Sequence, residues 1–215
     1  MKAFDLSLSL YLVLDPDLCG GAEGMLRTAR LAAEQGATMV QLRAPNWKKR
    51  QWLETARALK EVLDPLQVPL IINDHADVAL AVDAAGVHVG QADLPPDVVR
   101  RLIGPDKLLG LSISDARELA ASSLQGVDYL GVGPVYPTGT KPDAAQALGL
   151  PGFASLLRSI RLPVVAIGGI QAGACAALLA AGAQGVAVIS AICGQPDVAA
   201  ATRGLREEIA LALNR

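Results

Sequence analysis

The sequence predicts an α/β fold of one kind, a single-domain TIM (β/α)8 barrel spanning residues 1–215. Three observations carry the prediction. Short apolar runs alternate with stretches of helical period eight times, polar residues gather at the C-terminal ends of those runs, and no GxGxxG or P-loop marks the crevice of an open doubly wound sheet. The length also suits one unit, since α/β barrels run to roughly 200–250 residues as one domain.

The strands are read from runs rich in Val, Ile and Leu: 8-LSLYLVLD-15, 38-TMVQLR-43, 69-PLIIND-74, 86-GVHVG-90, 107-KLLGLSI-113, 129-YLGVGPV-135, 163-PVVAIGGI-170 and 185-GVAVIS-190. Near-continuous apolar character is what a strand shows when both of its faces are covered, as in a parallel barrel wrapped by helices. Ala/Leu/Arg/Glu stretches follow in turn, predicting helices over 22–36, 47–64, 76–85, 95–103, 115–124, 152–160, 171–181 and 197–213. In 52-WLETARALKEVL-63, for example, apolar residues recur at spacings of three and four. One connection is long, 136-YPTGTKPDAAQALGLPG-152, and long connections in compact domains tend to carry function. No Pro/Gly/Ser-rich linker divides the chain.

Composition narrows the function classes. With 52% hydrophobic residues, a net charge of −2 and 3% aromatics, the chain has the content for a packed core but neither the basic excess nor the aromatic platforms of a nucleic-acid binder. No apolar run reaches the ~18 residues of a membrane span. Asp5 and Asp15 interrupt any N-terminal signal pattern. The three cysteines, Cys19, Cys175 and Cys193, show no metal spacing and fit small buried side chains in a reducing compartment, so the expected location is cytoplasmic.

A barrel brings its strand ends to one rim, and the polar residues there define the expected chemistry. Gly168-Gly169 and Ser190 follow the seventh and eighth strands, where barrel loops frequently hold a phosphate through backbone N–H groups. Asp74 and Asp93 follow the third and fourth strands and suit an oxygen-ligated divalent ion such as Mg2+, although aspartate is equally favoured as a helix cap. Arg43 and Lys141 bring positive charge to the same rim. Together these residues describe a metal-bound pyrophosphate beside a second, monophosphorylated ligand. His88 alternates with Gly86 and Gly90 and points into the barrel, as a core imidazole or a ligand contact. His75, beside Asp74 at a helix start, is expected to be exposed, and no Ser/His/carboxylate triad suggests itself.

The runs 41-QLR-43, 71-IINDHADVALAVDAAGVHVGQADL-94, 110-GLS-112, 128-DYLGVGPVYPTGTKPDAAQALGL-150, 164-VVAIGGI-170 and 185-GVAVISAI-192 resemble the thiamine phosphate synthase family, whose superfamily also holds the thiazole tautomerase. The resemblance extends from Tyr11 to Ile192 and implies a Mg2+-dependent transferase with two small-molecule substrates. Such an enzyme joins a hydroxymethylpyrimidine diphosphate to a thiazole phosphate, giving thiamine phosphate and pyrophosphate. Pyrophosphate departs first, leaving a pyrimidine carbocation for the thiazole nitrogen to attack. The same resemblance implies that Asp74 and Asp93 bind the metal. Gln41, Arg43, Asn73 and Lys141 would hold the diphosphate, Ser112 would lie near the reacting pyrimidine, and Thr138, Gly139, Thr140, Gly169, Ile189 and Ser190 would hold the thiazole phosphate. Ser112, Lys141 and Arg43 are the catalytic candidates among them.

Two positions test the resemblance. The family pattern Gln-x-Arg-x-Lys ends here on Pro45, removing a cation that Lys48 or Lys49 could replace only by folding back from a helix start. The tautomerase uses a histidine two positions after the strand-five serine, where this chain has Ser114, which favours the synthase. A binding protein that kept the pocket and lost turnover is the remaining alternative, supported by Pro45 alone.

Overall fold

A computed structural model of the chain describes residues 7–140 and 145–213. Eight parallel strands pair in sequence order and close on themselves: β1 (Leu10–Leu14), β2 (Met39–Leu42), β3 (Leu70–Asn73), β4 (Gly86–Val89), β5 (Leu108–Ile113), β6 (Tyr129–Val132), β7 (Val164–Ile167) and β8 (Gly185–Val188). Closure is made by β1 on β8, with Leu10, Tyr11 and Leu12 opposite Val186, Ala187 and Val188. The predicted TIM barrel is the observed fold.

Alternation along each strand sorts the side chains into two cores. Residues turned outward, among them Leu10, Leu12, Val40, Ile72, Val87, Leu109 and Val186, pack beneath the helices in one continuous layer. Residues turned inward form a smaller plug of Tyr11, Val13, Met39, Ile71, Leu108, Tyr129, Val165 and Ala187.

The helices are amphipathic as their spacing requires. In α3 (Lys49–Leu63) the buried residues are Trp52, Thr55, Ala56, Leu59 and Leu63; α2 (Gly21–Glu34) buries Met25, Thr28, Ala29 and Ala32. The remaining long helices are α5 (Pro96–Ile103), α7 (Gly149–Leu157) and α9 (Val198–Leu213), and shorter ones are α4 (Ala76–Ala81), α6 (Ala116–Ala121) and α8 (Cys175–Ala180).

Three departures from the predicted boundaries have causes visible in the structure. A short helix, α1 (Pro16–Cys19), interrupts the first connection; Asp15 caps it by accepting from the N–H groups of Asp17 and Leu18, and Gly20 ends it at φ +77°. The strand predicted over 163–170 stops at Ile167, because Gly168 and Gly169 take φ values of +94° and +67° that leave the sheet. The helix predicted from 171 begins only at Cys175. Its first N–H groups are taken from a distance, the carboxylate of Glu208 on α9 accepting from Gly173, Cys175 and Ala176 at 2.8, 2.7 and 3.3 Å.

At the opposite end of the barrel Arg100 ties two connections together, the one before β5 and the one before β6. Its guanidinium donates to the carbonyls of Gly104, Lys107 and Gly126 and pairs with Asp128 at 2.8 Å, and both side chains are mostly buried. Asp128 in turn accepts from the Leu109 N–H at the start of β5. Arg100→Ala removes the donor to those carbonyls and the ion-pair partner of Asp128 and is expected to cost about 2–3 kcal/mol in urea unfolding. Loss of less than ~0.5 kcal/mol would show that water replaces the guanidinium at no cost.

Candidate active site

The C-terminal ends of the strands surround a cavity of about 640 Å³. Its floor is the polar top of the inner core: Tyr11, Gln41, His88, Ser112 and the bare backbone of Gly131. Of the residues picked from the sequence, Gln41, Arg43, Asn73, Asp74, Asp93, Ser112, Thr138, Thr140, Gly169, Ile189 and Ser190 all line this one space. Gly139 is exposed between the two threonines and does not line it. Lys141 lies outside the described residues.

Each wall has a local reason for its shape. Arg43 directly follows β2 and is half-buried, and its guanidinium has no hydrogen bond or ion pair with any described residue. A cation held in a cavity wall without an internal counter-charge is available for an anionic ligand.

Asn73 ends β3 and its Nδ2 donates to Asp74 Oδ2 at 2.6 Å. Asp74 sits in the left-handed region at φ +59°, with its own N–H donating to the His88 carbonyl at 2.8 Å. Asp74 lines the cavity from that turn. Asp93 Oδ2 accepts from the Gly90 N–H at 2.8 Å. The capping role open to both aspartates from the sequence is therefore not the one they take: the N-cap residues of α4 and α5 are His75 and Pro95, neither of which makes a side-chain cap bond.

The phosphate-type turn differs in detail from its sequence reading. The N-terminus of α8 is occupied by Glu208, so helix N–H groups are not what an anion meets after β7. Backbone closer to the cavity takes that place, because the Gly169 N–H has no acceptor among the described residues. A Cβ at Gly169 would lie 2.5 Å from the Pro137 carbonyl oxygen and 2.7 Å from that of Tyr136, so the close passage of the two loops requires glycine. The long connection is pinned at both ends of its described part by Tyr136 N–H to the Gly168 carbonyl and Leu148 N–H to the Pro134 carbonyl. Thr138 and Thr140 project from it, their hydroxyls 3.4 Å apart.

His75 differs from its sequence reading. It is half-buried, not exposed: its ring packs edge-on against Trp52 with centroids 4.6 Å apart, and its Nδ1 lies 2.8 Å from Lys49 Nζ. Burial and the Lys49 ammonium lower its pKa. Lys49 also bonds Asp77 at 2.7 Å, so its charge is spent on α4 and does not replace the cation missing at Pro45. Pro45, Asn46 and Trp47 line the cavity there. The sequence also gave no reason to join His88 to Ser112, yet His88 Nε2 lies 2.9 Å from Ser112 Oγ. Inward alternation on β4 and β5, with His88 opposite Gly110, was the signal that could have paired them.

A closed parallel barrel whose cavity carries a guanidinium without a partner among the described residues, two carboxylates and a phosphate-type glycine turn belongs to the class of barrel enzymes acting on phosphorylated small molecules. The comparisons narrow the class to one family. Residues 10–192 match the family model described as thiamine monophosphate synthase. The chain is 56% identical over 197 residues to a thiamine-phosphate synthase of Laribacter hongkongensis, covering 92% of this chain and 93% of that one. It is 51% identical over 199 residues to its counterpart in Azorhizobium caulinodans, with 93% of each covered. A solved thiamine phosphate pyrophosphorylase from Pyrococcus furiosus superposes with a TM-score of 0.86 at 37% identity, covering 96% of this chain and 98% of that one. The chain belongs to the thiamine monophosphate synthase family and is an enzyme of the transferase class. Among the described residues no helix is long and apolar enough to cross a membrane.

Proposed function

We propose that this chain transfers a hydroxymethylpyrimidine group from its diphosphate to a thiazole phosphate, releasing pyrophosphate and forming thiamine phosphate. The observation that carries the reading is Arg43, a half-buried cation without a partner among the described residues, in the same cavity as Asp74 and Asp93. Family membership supplies the substrates.

The donor set fits a hard divalent cation, and Mg2+ in particular. Asp74 and Asp93 offer carboxylate oxygens that are each already oriented by a hydrogen bond, and among the described residues no third His, Cys, Asp or Glu joins them. Such a sparse set suits an ion that fills the rest of its shell with water and diphosphate oxygens. Bound there, Mg2+ would neutralise charge building on the leaving pyrophosphate.

The residues of the chain do the rest. Arg43, Asn73 and Gln41 hold and orient the diphosphate end, with Lys141 as a second cation on the long connection. Ser112 contacts the pyrimidine above the inner core. The Gly169 N–H, Thr138, Gly139, Thr140, Ile189 and Ser190 hold the thiazole phosphate so that its ring nitrogen faces the carbon losing pyrophosphate. As that bond breaks, the cation that forms lies above a floor of closely packed side chains, which keeps water from capturing it. Free Cys19, Cys175 and Cys193 fit a cytoplasmic location.

Purified protein supplied with Mg2+ and both substrates should produce thiamine phosphate. Absence of product, with both substrates still bound, would replace this reading by that of a precursor-binding protein. Arg43→Ala should weaken binding of inorganic pyrophosphate in the presence of Mg2+ by about 10–100-fold, as expected for loss of charge-assisted bonds, measured by calorimetry. Asp74→Asn keeps a side chain that tolerates the left-handed backbone, so it should fold normally and lose most of the Mg2+ dependence of pyrophosphate binding. Unchanged metal dependence would remove Asp74 from the ligand set.

A further inference from the structure

Five polar side chains cross the barrel interior in one unbroken line. Gln41 Nε2 donates to Tyr11 Oη at 2.7 Å, the Tyr11 and Tyr129 hydroxyls lie 3.0 Å apart, Tyr129 Oη lies 3.1 Å from His88 Nδ1, and His88 Nε2 lies 2.9 Å from Ser112 Oγ. The line links β2, β1, β6, β4 and β5. Gln41, Tyr11, Tyr129 and His88 are buried, while Ser112 is half-exposed to the cavity.

Counting protons gives the line a direction. An amide nitrogen only donates, so Tyr11 accepts from Gln41 and must pass its own proton on. Among the described residues the acceptor within reach is Tyr129. Tyr129 then gives its proton to His88 Nδ1, which as an acceptor carries no hydrogen, and the imidazole proton sits on Nε2, directed at Ser112 Oγ. The opposite direction would send protons from both Gln41 and Tyr129 onto the Tyr11 oxygen and strand the Tyr11 proton in a dry interior. Burial raises the pKa of both phenols, so each keeps the proton that the sequence of donations needs.

The surrounding backbone makes room for the ring. A Cβ on Gly110 would collide with His88 Nδ1 and with the phenol of Tyr129, and one on Gly131 would come to 3.1 Å from His88 Cε1. Strands β5 and β6 thus give up side chains where the imidazole stands.

We propose that His88 is a positioning residue, locked by Tyr129 and the residues behind it as the Nε2–H tautomer, so that Ser112 accepts from the imidazole and turns its own proton into the cavity. Ser112 is then a fixed donor, and the ligand atom it selects is an acceptor of the kind a pyrimidine ring nitrogen supplies. This assignment of the ligand rests on the function proposed above; the tautomer does not.

The test is nitrogen NMR on protein labelled with 15N in its histidine rings, in mildly alkaline buffer without substrate. There are only two histidines, and the spectrum of His75→Asn assigns them. His88 should show a protonated Nε2 and a bare Nδ1. An Nδ1–H tautomer, as a reversed Gln41 amide would produce, or a doubly protonated ring overturns the proposal. Tyr129→Phe removes the proton offered to Nδ1, so an Nδ1–H population should appear and kcat should fall about tenfold, with KM for both substrates held within about twofold. A kcat and tautomer both unchanged in that variant would also overturn it. If Tyr129→Phe does not fold, the wild-type tautomer still decides. A protein with the expected tautomer and no synthase activity would sink the proposed function and leave the proton line standing.

Discussion

Everything at the cavity depends on β1 closing against β8. With Leu10, Tyr11 and Leu12 opposite Val186, Ala187 and Val188, the sheet has no free edge, and all of its C-terminal ends face one rim. Closure also brings residues far apart in sequence into a common interior. Tyr11 and Tyr129 meet across the barrel only because their strands belong to one ring. An open sheet of the same strands would string their C-terminal ends along one edge, with Ser190 after β8 far from Arg43 after β2, instead of gathering them round one cavity.

Inside the ring, polarity rises toward the rim. Met39, Ile71 and Leu108 fill the interior away from the cavity, and toward it come Tyr11, Tyr129, Gln41, His88 and Ser112, joined by hydrogen bonds from one to the next. Charged groups begin only beyond the strand ends. This ordering places the charges where ligand and solvent can neutralise them and keeps unpaired ones out of the apolar plug. It also gives a rigid floor to a site whose remaining walls are loops.

Much of this was legible in the sequence, for physical reasons. Strands buried on two faces must be apolar along their length, so runs such as 71-II-72 and 164-VVAI-167 identify themselves, and the polar residue that ends each run marks the rim. What was not legible arises between distant segments. Glu208 finds the N-terminus of α8 from 33 residues away, His88 finds Ser112 from 24, and Lys49 crosses to His75 and Asp77. Local propensity carries no record of such partners. The truncated β7 was partly visible in its glycine pair, but the periodicity of the residues that follow pointed to a helix that Gly173, at φ +90°, delays.

The backbone of Asp74 narrows what drift can do at that position. A residue held at φ +59° between two backbone hydrogen bonds is readily occupied by glycine, asparagine or aspartate, and poorly by most others. Of those three, one carries charge. Asn or Gly could therefore replace Asp74 with the fold kept, and under the metal-binding role proposed for it the identity of this single side chain becomes a compact indicator of whether the cavity is kept for that chemistry.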